Sequence, residues 1–323
     1  MNPLTIWTNQ RLPDVILQQL RDRLYPHPLV VSQFLTKNVV SASAADPAAQ
    51  QADVLYGQPD PADIFASQRV KLVQLGSAGY TRYDNEQFLS GVKSRGIKFC
   101  NASSLYDEPV AQHAAAMLLA FARNLPTAIL HKAEAKWEMA PIRNGSFLLG
   151  GQHTLIVGYG AIARRLVELL KPFGLNITAF RRTPRGDENV HTEAISILDN
   201  YLPTADIVIN ILPSSPSTVN LFNADRLGKL KPGSVYLNLG RGDTTDQDAL
   251  VAALDSGRLS CAFLDVTTPE PLPADHPLWK SPNCFITPHT AGGTRDEPQR
   301  MIEHFLANFD RFLKDAPLQD RIA

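Results

Sequence analysis

The stretch GYGAIA, Gly158 to Ala163, sets two glycines and a small residue at the spacing G-x-G-x-x-A. Before it, TLIV is a short apolar run of strand type. After it, IARRLVELL places Ile162, Leu166, Leu169 and Leu170 at helical spacing, and Pro172 and Gly174 stop the run. A tight turn that opens a helix can hold a pyrophosphate. Its first glycine permits the turn and its second lets the backbone approach, while free N–H groups and the dipole at the helix start face the anion. A lone match of this kind is weak, but a second strand, NITAF, follows at the right distance. Gly158, Gly160, Ala161 and Ile162 are therefore expected to contact a dinucleotide.

The end of NITAF decides which dinucleotide. A carboxylate there bonds both ribose hydroxyls of NAD and repels a 2′-phosphate. The chain reads RRTPR instead, and no Asp or Glu stands between Arg181 and Asp187. Arginine offers a charged fork to a 2′-phosphate. Arg181 and Arg182, helped by Arg185, are thus expected to favour NADP(H), with NAD(H) as the alternative cofactor. The plainer alternative is a solvated basic loop.

These residues need a scaffold. Of the 323 residues 44% are hydrophobic, which is enough for about two packed domains. The formal net charge of −1 argues against a nucleic-acid or membrane-surface footprint. No apolar run is long enough for a membrane span, and MNPLTIWTNQ lacks the basic start and apolar core of a secretory signal. Three cysteines with no CxxC pair suit a reducing cytoplasm and point to neither a disulfide framework nor a metal site.

Short apolar runs (LTIWTN, DVLYG, VKLVQLG) alternate with helix-compatible stretches such as PDVILQQLRDRL, and ADPAAQQAD reads as a polar link. DEPVAQHAAAMLLAFARNL reads as a helix from Asp107, with Pro109 in its first turn, apolar nearly all round and expected to be buried. From Thr154 onward six runs (TLIVG, NITAF, DIVINIL, SVYLNL, CAFLDV, CFIT) alternate with helical stretches, the doubly wound pattern. At the tail, Thr294 and Glu297 have capping-box spacing. Met301, Ile302, Phe305, Leu306, Phe309, Phe312 and Leu313 then form one apolar face, which the first domain could cover.

Beyond these patterns, LGSAGYTRYD, VAQHAAAMLLAFAR, LNLGRGDTTDQDALVAALDSGRL and AFLDVTTPEPLPADHPLWKSPNCFITPHTAG follow one known pattern over most of the chain. The sequence resembles the D-2-hydroxyacid dehydrogenases, in particular their glyoxylate/hydroxypyruvate reductase-like members. The resemblance implies an α/β fold with two doubly wound parallel-sheet domains, a Rossmann-type cofactor domain inserted into a flavodoxin-like substrate domain. The substrate domain would comprise 1–100 plus 296–323 and the cofactor domain 101–295. It implies that Arg241 binds substrate and that His289, paired with Glu270, is the general acid/base. It gives the loop Ser77, Ala78 and Gly79 to the substrate carboxylate, Asp265 to the nicotinamide carboxamide, and Pro213, Thr218, Leu239 and Gly240 to the cofactor's surroundings. A homodimer through the cofactor domains is also implied.

Chemistry supports those roles. Reducing a 2-keto acid needs a cation for the carboxylate, a proton for the nascent alkoxide and a hydride donor. Arg241 and His289 each follow an apolar strand, where such sites form. Taken singly, a histidine or arginine near a turn is more often structural or solvated. Three positions depart from the pattern: Thr81 replaces an aspartate of the substrate loop, Thr267 an aromatic residue and Gln112 a glutamate. Gln58 aligns with a phosphate-binding arginine of phosphoglycerate dehydrogenases, so a small, unphosphorylated 2-keto acid is expected. Two rivals remain: a non-enzymatic nucleotide-sensing relative of corepressor type, and formate- or phosphite-type oxidation. Formate enzymes pair their histidine with Gln, whereas Glu270 stands here.

Overall fold

The computed structural model describes residues 2–36 and 44–323. They divide into two compact units, Met1–Tyr106 with Thr294–Ala323, and Asp107–Gly293. The division thus falls a few residues from the 100/101 and 295/296 limits read in the sequence.

The first unit contains β1 (Ile6–Thr8), α1 (Asp14–Leu24), β2 (Leu29–Val31), α2 (Pro47–Gln50), β3 (Val54–Gly57), α3 (Pro61–Ala66), β4 (Leu72–Leu75), α4 (Glu86–Ser94) and β5 (Lys98–Cys100). Its five strands are parallel in the order β2-β1-β3-β4-β5, which is the flavodoxin-like order. Alternate side chains feed two cores. Trp7, Leu55, Val73 and Phe99 face one, while Ile6, Val54, Tyr56 and Leu72 face the other. The segment ADPAAQQAD is not a simple link. Asp46 accepts the N–H of Ala48 at 3.0 Å and caps the one-turn helix α2.

Helix α5 (Ser103–Ala122) runs from the first unit into the second. It starts four residues before the expected Asp107. The Ser103 N–H is taken by the Asn101 side chain at 3.2 Å and the Ser104 N–H by the Asp320 carboxylate at 2.9 Å, so the start is capped from within the first unit. Pro109 therefore sits inside the helix. Its missing N–H leaves the Leu105 carbonyl without a helical donor, and the Arg300 guanidinium donates to that oxygen at 2.5 Å.

The second unit continues with α6 (Leu125–Ala133), α7 (Met139–Gly145), β6 (His153–Val157), α8 (Ala161–Leu170), β7 (Asn176–Arg181), β8 (His191–Ala194), β9 (Ile207–Asn210), α9 (Ala224–Lys229), β10 (Ser234–Asn238), α10 (Gln247–Asp255), β11 (Leu259–Leu264) and β12 (Cys284–Ile286). The seven strands are parallel in the order β12-β11-β10-β9-β6-β7-β8. All six expected strands are present, and β8 is a seventh, at the edge. The order reverses between β6 and β9, the switch point where ligands bind in such sheets.

The last helix, α11 (Glu297–Leu313), returns to the first unit. Ile302, Phe305, Leu306 and Phe309 complete the core of Ile6, Val54 and Tyr56, and Phe305 stacks on Tyr56 at 4.2 Å. The tail's apolar stripe thus covers the first domain, as expected. The capping box does not form. Asp296 precedes the helix without a side-chain cap, and the Tyr106 hydroxyl donates to Glu297 at 3.1 Å. A start at Thr294 would put Pro298 at the fourth helical position, where its absent N–H and its ring break the pattern; a start at Glu297 puts it in the tolerant first turn. Among the described residues no single helix is long and apolar enough to cross a membrane; α5 and α6 pass that test only as a pair bent by 71°.

Candidate active site and cofactor cradle

At the end of β6 the backbone of Gly158 takes φ +102°. A Cβ there would lie 2.8 Å from the Ile211 carbonyl oxygen, so glycine is required twice over. Gly160 precedes α8 with no side chain capping the helix, and a Cβ on it would meet nothing within 4 Å. Ala163 is fully buried, where a larger residue would push helix from sheet. Open space over uncapped helical N–H groups is what a pyrophosphate needs. The buried stripe of α8 is Ala163, Leu166, Val167 and Leu170, rotated slightly from the expected one. Ile162 and Leu169 are only half-buried.

Beside this turn lies a cavity of about 410 Å³, lined among others by Gly160, Ala161, Arg164, Arg165, Arg181 and Arg185. Arg164 and Arg181 both lie over the Tyr159 ring, at 5.6 and 6.0 Å from its centroid. Arg182 is exposed and does not line the cavity. Arg181 is also not a free cation. Its Nη1 donates to Glu188 Oε1 at 2.8 Å. The Arg185 N–H and the Arg181 guanidinium, with the Gly186 N–H, outweigh burial and hold the Glu188 carboxyl down at about 2. Sequence reading stopped at Asp187 and missed Glu188, which lies seven residues past Arg181 on the same loop.

Arg241 follows β10 in the turn GRG. A Cβ on Gly240 would lie 2.3 Å from the Leu212 carbonyl oxygen, and one on Gly242 would lie 2.1 Å from the Thr267 carbonyl group. The backbone on each side of Arg241 is thus pressed against the neighbouring loops. Asn238 and Thr244 donate to the Arg241 carbonyl at 3.1 and 2.6 Å. The guanidinium donates to the Gly240 carbonyl at 2.6 Å. Burial lowers the Arg241 pKa, and Glu270 and Asp243 oppose that shift.

His289 Nδ1 lies 2.7 Å from Glu270 Oε2, with 34% and 36% of the two side chains exposed, so the pair meets solvent. Burial pushes the Glu270 carboxyl up, but the His289 bond and charge, the Thr267 N–H and Arg241 together hold it below the ordinary range. An ionised carboxylate can only accept, so Nδ1 carries a proton and Nε2 is left for chemistry.

His289 itself has φ +53°, a left-handed conformation rare outside glycine. Asp265 holds the turn. It is 3% exposed, and its Oδ1 accepts from Thr287 Oγ1 at 2.6 Å, Thr290 N at 2.9 Å and Ala291 N at 3.1 Å. His113 of α5 adds a 3.1 Å contact to Thr287 Oγ1, a link that nothing in the sequence pattern identifies. Asp265 therefore spends its carboxylate on the loop that carries His289. The Thr218 hydroxyl likewise donates to the Pro213 carbonyl at 2.7 Å and ties up its own loop. Leu239 is buried, its N–H bonded to the Asn210 carbonyl at 2.9 Å.

In the first unit the loop after β4 has every carbonyl from Gly76 to Gly79 occupied. Tyr106 Oη, Ala102 N, Asn101 Nδ2 and Ser77 Oγ donate to them in turn, at 2.9, 2.9, 2.6 and 2.7 Å. Gln58 Nε2 donates to Ser77 Oγ at 2.7 Å, so this amide braces the loop. Among the described residues no group of three or more His, Cys, Asp or Glu side chains is placed to hold a metal.

Residues 115–291 match the family model described as D-isomer specific 2-hydroxyacid dehydrogenase, NAD binding domain. The chain belongs to the D-isomer-specific 2-hydroxyacid dehydrogenase family. It is therefore of the class of NAD(P)-dependent dehydrogenases. It is 30% identical over 298 residues to glyoxylate/hydroxypyruvate reductase B of Escherichia fergusonii, covering 90% of this chain and 89% of that one. It is 28% identical over 264 residues to the chloroplastic/mitochondrial formate dehydrogenase of Arabidopsis thaliana, covering 80% and 68%. A crystal structure of a family protein from Aeromonas salmonicida superposes with a TM-score of 0.78 at 25% identity, over 100% of this chain and 99% of that one. The α/β architecture and the reductase-like family membership expected from the sequence are both borne out.

Proposed function

We propose that this dehydrogenase reduces a small 2-keto acid of the glyoxylate or hydroxypyruvate type to the D-2-hydroxy acid, with NADP(H) preferred over NAD(H). The observation that carries this proposal is the His289–Glu270 pair, at 2.7 Å, with Arg241 charged beside it. Glu270 as the partner favours keto-acid reduction over formate oxidation, in keeping with the relative from Escherichia fergusonii.

The cofactor would lie with its pyrophosphate over Gly158, Gly160, Ala161 and Ile162 and its adenosine ribose toward Arg181, and when bound it supplies the hydride. Arg241 binds the substrate carboxylate and polarises the keto oxygen. His289 Nε2 delivers the proton that the oxygen gains as hydride reaches the carbon, and Glu270 stabilises the imidazolium before transfer. The amides of the Ser77–Gly79 loop, with their carbonyls occupied elsewhere, suit an anionic substrate group. The neutral Gln58, spent on Ser77, suits an unphosphorylated one.

A homodimer is part of the same proposal. Ile129, Leu130, Trp137, Met139 and Leu148 are exposed on and around α6 and α7, an apolar patch that a second copy would cover.

The test is steady-state kcat/KM with NADPH and NADH, using glyoxylate and hydroxypyruvate as acceptors. Turnover with NADPH favoured supports the proposal. A clear NADH preference overturns the cofactor half. No turnover with either acceptor, while cofactor still binds, favours a nucleotide sensor.

A further inference from the structure

The loop from Arg181 to Glu188 closes on a single carboxylate. Glu188 Oε1 accepts from Arg181 Nη1 at 2.8 Å and from the Arg185 N–H at 2.9 Å, and Oε2 accepts from the Gly186 N–H at 2.8 Å. The side chain is 4% exposed. One guanidinium and two successive backbone N–H groups converging on an anion form the donor set that a phosphate ester would use. Here the anion belongs to the chain. Arg181 still reaches the cavity that holds Gly160, Arg164 and Arg185, but it reaches it already paired.

We propose that Glu188 is a specificity-determining residue that weakens the preference for a 2′-phosphorylated dinucleotide. It engages one edge of Arg181 and both loop N–H groups, and its charge repels an incoming phosphate dianion. This inference rests on the assignment of the Arg181 cavity to the adenosine ribose. Arg164 and Arg185 remain as cations on the cavity wall, which also carries Asp107, Glu168 and Asp187. The pairing therefore reduces the preference without abolishing it, and the protein uses both cofactors.

The experiment is calorimetric titration of the whole protein with 2′,5′-ADP and with 5′-AMP, two probes that differ by the phosphate in question. Glu188→Gln retains an acceptor for Arg181 and removes the charge. Removing a unit charge beside the position of a phosphate dianion near the surface should tighten 2′,5′-ADP by about tenfold and leave 5′-AMP within about twofold. The gain should shrink as salt is raised. In an Arg181→Ala background the share of the gain that comes from releasing Arg181 should be lost, so the selective gain should be smaller, with only the direct repulsion by Glu188 left to relieve. Thermal melts of each variant verify folding. If the wild-type protein binds neither probe nor either dinucleotide, the cofactor assignment itself fails. If it binds, and Glu188→Gln changes both probes equally, changes neither, or weakens 2′,5′-ADP selectively, this inference fails alone.

Discussion

The carboxylate of Asp265 holds the backbone that carries His289, and replacing it by an amide measures that hold. Its Oδ1 accepts three bonds and its Oδ2 a fourth, from Ala291 N at 3.1 Å. Asp265→Asn keeps the shape. It removes the charge from three bonds and turns an NH2 group toward a donor. Each bond to a charged acceptor is worth roughly 1 kcal/mol more than its neutral equivalent, so the loss is about 3 kcal/mol. The left-handed conformation of His289 costs about 1–3 kcal/mol on its own. The two quantities are comparable, so the turn should relax toward ordinary backbone and carry the imidazole away from Glu270. The apparent Tm of the second unit should drop by roughly 6–12 °C. Turnover should fall about 100-fold, with little change in the Kd for NADPH. Differential scanning calorimetry, single-turnover kinetics and fluorescence titration of cofactor read the three quantities. An unchanged Tm together with a cofactor Kd raised tenfold or more would refute the reasoning and return Asp265 to the nicotinamide contact implied by family resemblance.

Two further outcomes follow from the geometry. Glu270 is held below its ordinary range, so its ionised form and its bond to His289 persist on acidification through the usual carboxylate range and are lost only below it. Glu270→Gln should lower kcat by about 10–100-fold and remove that acid limb from the pH–rate profile, which stopped-flow measurement over pH 3–6 would check. Trp137, 97% exposed in the patch around α6 and α7, should matter only to association: Trp137→Glu with Ile129→Glu should turn a dimer into a monomer by light scattering, and a wild type that is already monomeric defeats that reading.

The long strands were legible because burial on both faces writes them as continuous apolar runs, as in DIVINIL and SVYLNL. The strands β2, β5 and β8 were not. LVV and KFC span three residues, and HTEA is polar because it lies at an edge with one flank open. Helix α11 was legible in its apolar stripe but not in its start, where Pro298 overrode a capping-box spacing. Arg241, Glu270 and His289 were found through family resemblance, and the structure supplies what binds each in place. What remained hidden were partners set by tertiary approach, such as Glu188 for Arg181, His113 for Thr287 and Arg300 for the carbonyl freed by Pro109. No local pattern specifies which side chain meets another across a fold.

The return of α11 to the first unit has a consequence for biosynthesis. The sheet of the first unit is translated early, but one of its two faces is covered by α11, whose Ile302, Phe305 and Phe309 lie some three hundred residues along the chain. Until that segment leaves the ribosome, Ile6, Val54, Tyr56 and Leu72 are shielded on that side only by α1, whose Leu20 and Leu24 share the same core. The second unit is contiguous in sequence and can close on its own. The unit begun first is thus finished last, and during that interval its open face is the part of the nascent chain that most needs a chaperone.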